Sequence, residues 1–213
     1  MACDLCCDRE SAAISEYDRP STGLYSPTLK LIVAESVLVC VGPVTQAFLA
    51  PLGLTIPVGR VPGLLAVTSR PTAPLGRVVH APGIHLRPDA SGGLLLGAAD
   101  LDGLVTDVTP PEAASAIAVR LLERAARVFP PASDVRLVGS RIGVRPMPAD
   151  GQTIAGRIPG LANAWVLATH SGVTLGPLLG RVIAGEIVGG TPSAVLAPFR
   201  PERFTTSGVG AAR

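Results

Sequence analysis

An apolar run at Trp165–Ala168 stops at Thr169-His170-Ser171-Gly172, and a helical pattern then starts near Thr174. A strand that turns through small residues into a helix leaves backbone N–H groups unpaired at the helix start, where the positive end of the helix dipole also lies. Such a terminus attracts an anion or a negatively polarised carbonyl. It suits a phosphate, or a cofactor ring that gains negative charge when reduced. Many strand–turn–helix units bind nothing, so an ordinary Ser- or Thr-capped helix stands beside this reading. Other candidates are weaker. Cys3, Cys6 and Cys7 form a lone C-x-x-C-C without a second ligand pair, which reads as reduced thiols rather than a zinc site. Asp100, Asp102 and Asp107 lie around Gly103 and read as loop acids, so they are assigned no metal. No side chain stands out as a general base.

Charge is nearly balanced, +2 overall with 16% charged residues, without the clustered basic face of a nucleic-acid binder. The 213 residues, 47% of them hydrophobic, allow one large domain or two small ones. Glu35 interrupts the front apolar stretch, and Asn163, His170, Arg181 and Glu186 interrupt the C-terminal one. Neither reaches the roughly 20 apolar residues that span a bilayer, so no membrane partner is expected. The first ten residues, M-A-C-D-L-C-C-D-R-E, are too acidic for a signal peptide. With reduced thiols, that points to a cytoplasmic location.

The elements that must position the elbow follow from pattern. Residues 1–32 show no period and are punctuated by Pro20, Gly23 and Pro27, which predicts an irregular N-terminal segment. Val37–Val41 reads as a strand buried on both faces and ending at Gly42-Pro43, and Thr45–Leu52 as a short helix. Leu64–Ser69, Arg77–Ala81, Ile84–Arg87 and Leu94–Gly97, separated by turn residues, read as an antiparallel sheet. Thr109 is the expected N-cap of a helix with Pro110 at its first position and Glu112 three residues after the cap. Ala114, Ile117, Ala118, Leu121, Leu122, Ala125 and Val128 give that helix an apolar face suited to covering the sheet, and Pro130-Pro131 ends it. Strands at Val135–Val144, Gln152–Ala155 and Trp165–Ala168 follow, and the last helix stops at Gly189-Gly190.

The segment G-V-R-P-M-P-A-D-G-Q-T-I-A-G-R at 143–157, followed by A-T-H-S-G-V-T-L-G-P-L-L-G-R at 168–181, closely resembles the C-terminal part of FAD-dependent oxidoreductases of the D-amino-acid oxidase kind. That family includes glycine and sarcosine oxidases. P-F-R-P-E-R-F at 198–204 is similar to the family's customary ending, and A-E-S-V-L-V-C-V-G-P at 34–43 to the last strand of its nucleotide-binding sheet. L-G-L-T-I-P-V at 52–58 is similar to the passage into its substrate domain. The resemblance implies an α+β fold: an antiparallel or mixed substrate-domain sheet with a covering helix, plus remnant strands and the C-terminal helix of a Rossmann-like FAD-binding domain. It divides the chain into a FAD-domain remnant at 33–57, a substrate-binding domain at 58–142, a C-terminal FAD-binding segment at 143–204 and a tail at 205–213.

It also implies chemistry. FAD is the expected cofactor, and the reaction is oxidation of the C–N bond of a small amino acid or amine by direct hydride transfer, which needs orientation more than a base. Arg145 is expected to hold the substrate carboxylate in a two-pronged ion pair, with His85 at the cavity wall. Gly42 and the backbone of Ser171, Gly172, Val173, Thr174 and Leu175 are expected to meet the flavin. His170 is expected to bond within the elbow, and Thr169 stands where the family has Gly. One departure outweighs the rest, because no G-x-G-x-x-G turn for the FAD pyrophosphate occurs in the chain. The expectation is a truncated chain with an incomplete FAD site, or a partner chain that supplies the missing half. The rivals are a non-catalytic remnant or interaction subunit, and a generic Gly/Pro-rich β-binding module.

Overall fold

The computed structural model describes residues 34–205 in full and, before them, the backbone of three strands. In chain order the elements are β1 (Ala13–Glu16), β2 (Thr22–Ser26), β3 (Leu29–Ala34), β4 (Val37–Val39), α1 (Thr45–Leu49), β5 (Val58–Thr68), β6 (Val79–Ala81), β7 (Ile84–Pro88) and β8 (Leu94–Gly97). Then come α2 (Ala99–Asp102), α3 (Pro111–Val128), β9 (Leu137–Pro148), β10 (Ile154–Arg157), β11 (Ala164–Ala168) and α4 (Gly172–Gly189). The architecture is α+β, and the chain divides into two compact units. One joins residues up to Arg60 with those from Pro146 onward, and the other is Val61–Arg145.

In the first unit, β11 lies between β10 and β4, antiparallel to β10 and parallel to β4, with Ala164 opposite Val37 and Val166 opposite Val39. A parallel pair demands cover on both faces. Val37, Val39, Ala164 and Val166 turn to a core with Leu49, Ile56 and Ile158. Trp165 and Ala155 turn to Leu179 and Ile183 of α4 and to Leu196, with Leu38 packed beside them. By length and composition α4 could cross a bilayer, yet it lies on this sheet and buries Leu179, Ile183 and Glu186.

The N-terminal segment departs from expectation. In place of irregular backbone, β1, β2 and β3 form an antiparallel sheet with Ile14 opposite Leu24 and Gly23 opposite Val33. The three cysteines near the start lie outside the described residues.

The second unit is built on a sheet of order β6-β7-β8-β5-β9. β7 runs antiparallel to β6 and β8, and β8 antiparallel to β5. Helix α3 lies against its core, with Ala114, Ala118, Leu121 and Ala125 buried together with Leu64, Ala66, Leu86 and Leu96. Its expected cap is displaced by one residue: Pro110 is the N-cap, and no side chain caps the helix. With prolines at 110 and 111 the helix start lacks two of the N–H groups that would have no intrahelical acceptor. Thr109 Oγ1 instead accepts the Thr106 N–H at 2.7 Å. Farther along α3, Arg124 donates to both Asp100 oxygens at 2.7 Å and to the Gly83 carbonyl, so Asp100 ties α2 to the helix.

Candidate functional site

The elbow after β11 can be accounted for donor by donor. A helix start leaves four N–H groups without intrahelical acceptors. At α4 the Ser171 N–H goes to Thr169 Oγ1 at 3.2 Å, and Thr169 is itself held by the Thr153 hydroxyl, which donates to it at 3.0 Å. The remaining three belong to Gly172, Val173 and Thr174; all three residues are exposed, Val173 98% so, and Ser171 offers them no side-chain cap. Leu175 is not a free donor, because its N–H bonds the Ser171 carbonyl at 2.9 Å.

One expectation changes here. His170 does not bond within the elbow and is exposed; the buried Thr169 performs that task. Thr169, where the family has Gly, is buried with its hydroxyl between the Thr153 hydroxyl and the Ser171 N–H.

Because β4 and β11 are parallel neighbours, the turns that follow them emerge from the same edge of the sheet. The first begins at Gly42, which adopts φ 58, a left-handed conformation that side chains resist, while Thr45 Oγ1 donates to its carbonyl at 2.6 Å. Gly42 and the elbow thus follow the carboxyl ends of the same parallel strand pair, the edge at which open α/β sheets take ligands.

Two ion pairs brace this unit. Asp150, of the P-A-D-G turn, receives Arg203 Nε at 2.7 Å and Nη2 at 3.1 Å, and it caps the Gln152 N–H. Glu186, on α4, receives both prongs of Arg200 at 2.7 Å. The resemblance of the 198–204 tail marked these arginines without telling what they do; both fasten the tail to the unit.

In the second unit, Arg145 ends the stretch of β9 belonging to that unit. Its Nη2 donates to Asp102 Oδ2 at 2.7 Å and to the Pro62 carbonyl at 3.2 Å. Asp102 is buried, and its Oδ1 accepts the Leu64 N–H at 2.9 Å. The acid read from sequence as a loop residue is therefore an anchor, and only its long-range partners reveal it. Gly63 makes room, since a Cβ there would come within 3.2 Å of the guanidinium carbon.

His85 is half-buried opposite Gly97, where a Cβ would collide with the imidazole. Its ring centroid lies 5.9 Å from that of His80. Burial, followed by the neighbouring His80, pushes the His85 pKa down; Asp102 opposes this and Arg145 adds to it.

The model of the family of FAD dependent oxidoreductases (DAO) matches residues 8–186, and the chain belongs to that family. Over 157 residues it is 32% identical to one of the subunits of opine oxidase from Agrobacterium tumefaciens, covering 73% of this chain and 40% of that protein. Glycine oxidase of Pseudomonas aeruginosa is 30% identical over 172 residues, covering 80% of this chain and 46% of that one. Among solved structures, glycine oxidase from Geobacillus kaustophilus superimposes with a TM-score of 0.74 at 27% identity, covering 91% of this chain and 52% of the other. Iminodiacetate oxidase from Chelativorans shares the fold with a TM-score of 0.74 at 24% identity, covering 91% and 53%. The chain thus spans less than half the length of these curated relatives.

Proposed function

We propose that this chain provides the substrate-binding unit and the flavin-facing elbow of an FAD-dependent oxidoreductase acting on the C–N bond of a small amino acid or amine. The observation that carries the reading is the set of three amides at Gly172, Val173 and Thr174, without a hydrogen-bond partner among the described residues, at the carboxyl edge of a parallel strand pair. FAD, when bound, supplies the hydride acceptor. The three amides fit the pyrimidine edge of its ring, and the positive end of α4 favours the negative charge that reduction places there. The left-handed Gly42 turn lets the backbone come close beside them. Arg145 holds the substrate carboxylate, and His85 lines the same unit. With no base in the set, the contribution of these residues is orientation.

A second reading is favoured by a specific feature: the sequence has no G-x-G-x-x-G, so nothing in it corresponds to the pyrophosphate end of the cofactor site. On that reading the chain is a subunit that binds FAD only beside another chain carrying the motif. One relative is itself named as a subunit, of opine oxidase. The test is purification of the full chain alone, and co-expressed with a chain carrying a strand–G-x-G-x-x-G–helix unit. Flavin colour bleached by amine substrate in the solitary chain supports an autonomous enzyme. Colour and bleaching only in the pair support the subunit. A colourless, inactive pair refutes both and leaves a non-catalytic remnant.

A further inference from the structure

The arrangement around Arg145 narrows how it can meet a substrate. A guanidinium offers a carboxylate two bidentate edges, one formed by Nη1 and Nη2 and the other by Nε and Nη2. Both need Nη2. In this chain the two protons of Nη2 are committed, one to Asp102 Oδ2 at 2.7 Å and one to the Pro62 carbonyl at 3.2 Å. Nε is buried and has no hydrogen-bond partner among the described residues. Nη1 is left as the end with two unclaimed protons, on a side chain 41% exposed.

The competitor carboxylate is held firmly. Asp102 closes α2 with its side chain 10% exposed, and its second oxygen is occupied by the Leu64 N–H at 2.9 Å. Releasing Arg145 to give a ligand two nitrogens would leave a buried anion without its cation, a costly exchange.

Resting on the reading of Arg145 as the carboxylate receptor, we propose that Asp102 is a positioning and specificity-determining residue. It pins Nη2, so the substrate carboxylate meets Arg145 through Nη1 alone, in a single-ended contact. Asp102 also offsets the charge that the carboxylate meets, which makes the receptor selective for substrates held by further contacts rather than by the acid group alone.

The experiment is NMR of the arginine side-chain nitrogens and aspartate carboxyl carbons of the purified full chain, assigned by comparison with Arg145→Met and Asp102→Asn, titrated with sodium acetate. In the wild type the acetate-dependent shift is expected at Nη1, with Nη2 and the Asp102 carboxyl unmoved. In Asp102→Asn, which keeps an acceptor for the Leu64 N–H, Nη2 is freed. The shift should then spread to both nitrogens, and acetate should bind about 5–10-fold tighter. If acetate moves Nη2 and the Asp102 carboxyl in the wild type, the single-ended contact is wrong while Arg145 stays the receptor. If no Arg145 nitrogen responds, or Arg145→Met binds acetate as well as the wild type, the receptor reading itself is refuted, and this proposal with it. Should Asp102→Asn fail to fold, the wild-type shift pattern alone decides the matter.

Discussion

Glu186 is 7% exposed, and its carboxylate receives both prongs of Arg200 together with the Ser193 N–H. The Arg200 guanidinium, helped by that N–H, holds its carboxyl below the usual carboxylate range. Glu186→Ala leaves the half-buried Arg200 without its anion, so it should destabilise the chain by about 1–3 kcal/mol in urea unfolding. The sign of the pH effect follows. With its folded pKa depressed, Glu186 contributes stability above the unfolded value of about 4.3, and this is lost as pH falls through the folded value. Glu186→Gln should therefore unfold with a shallower pH dependence in acid than the wild type.

His85 carries a different signature. Burial, then His80, lowers its pKa, so below the unfolded value of about 6.5 the unfolded chain takes up a proton that the folded chain resists. Stability should fall as pH drops below that value and level off below the folded pKa. In His85→Asn this part of the slope should vanish, and an unchanged slope would show that other groups cause it.

At the scale of elements, the angle at which β11 enters α4 rests on a short polar chain from Thr153 through Thr169 to the Ser171 N–H. Thr169→Val keeps the volume and removes the hydroxyl, which unpairs a buried donor at Thr153 and frees the Ser171 amide. A loss of about 1–3 kcal/mol is expected. Faster amide exchange at Ser171, with the core of α3 unchanged, would place the effect at the elbow, whereas uniform exchange across both units would contradict it. Sequence made these elements legible to different degrees. The apolar period of α3 reads directly because one side of it must be dry. β5 begins at Val58, well before the expected Leu64, because G-R-V-P-G has no alternating pattern to announce it. Likewise β9 runs on through Arg145-Pro146 to Pro148.

For the molecule as a whole, the first unit presents unsatisfied surface. Among the described residues β4 is a terminal strand of its sheet, and α4 leaves Val173, Leu178 and Val188 exposed at 98%, 55% and 88%. Open strand edges and apolar patches drive association. The purified chain is expected to sediment as oligomers, and a co-expressed chain carrying the G-x-G-x-x-G unit is expected to replace self-association with a defined complex. A monodisperse monomer that melts cooperatively on its own would count against this.

The sequence by itself determined the family, the antiparallel sheet with its covering helix, and the strand–elbow–helix at 163–189, because periodic apolar residues and short glycine-rich turns encode local geometry that neighbours do not alter. Tertiary structure alone decided which polar side chains act as partners. Asp102 became the anchor of Arg145, Thr169 replaced His170 as the brace of the elbow, and Thr109 yielded its expected cap to the turn before it. Those outcomes depend on hydrogen bonds whose partners are brought within reach by the fold or by the exact course of a turn, and no residue carries such a partnership in its own identity.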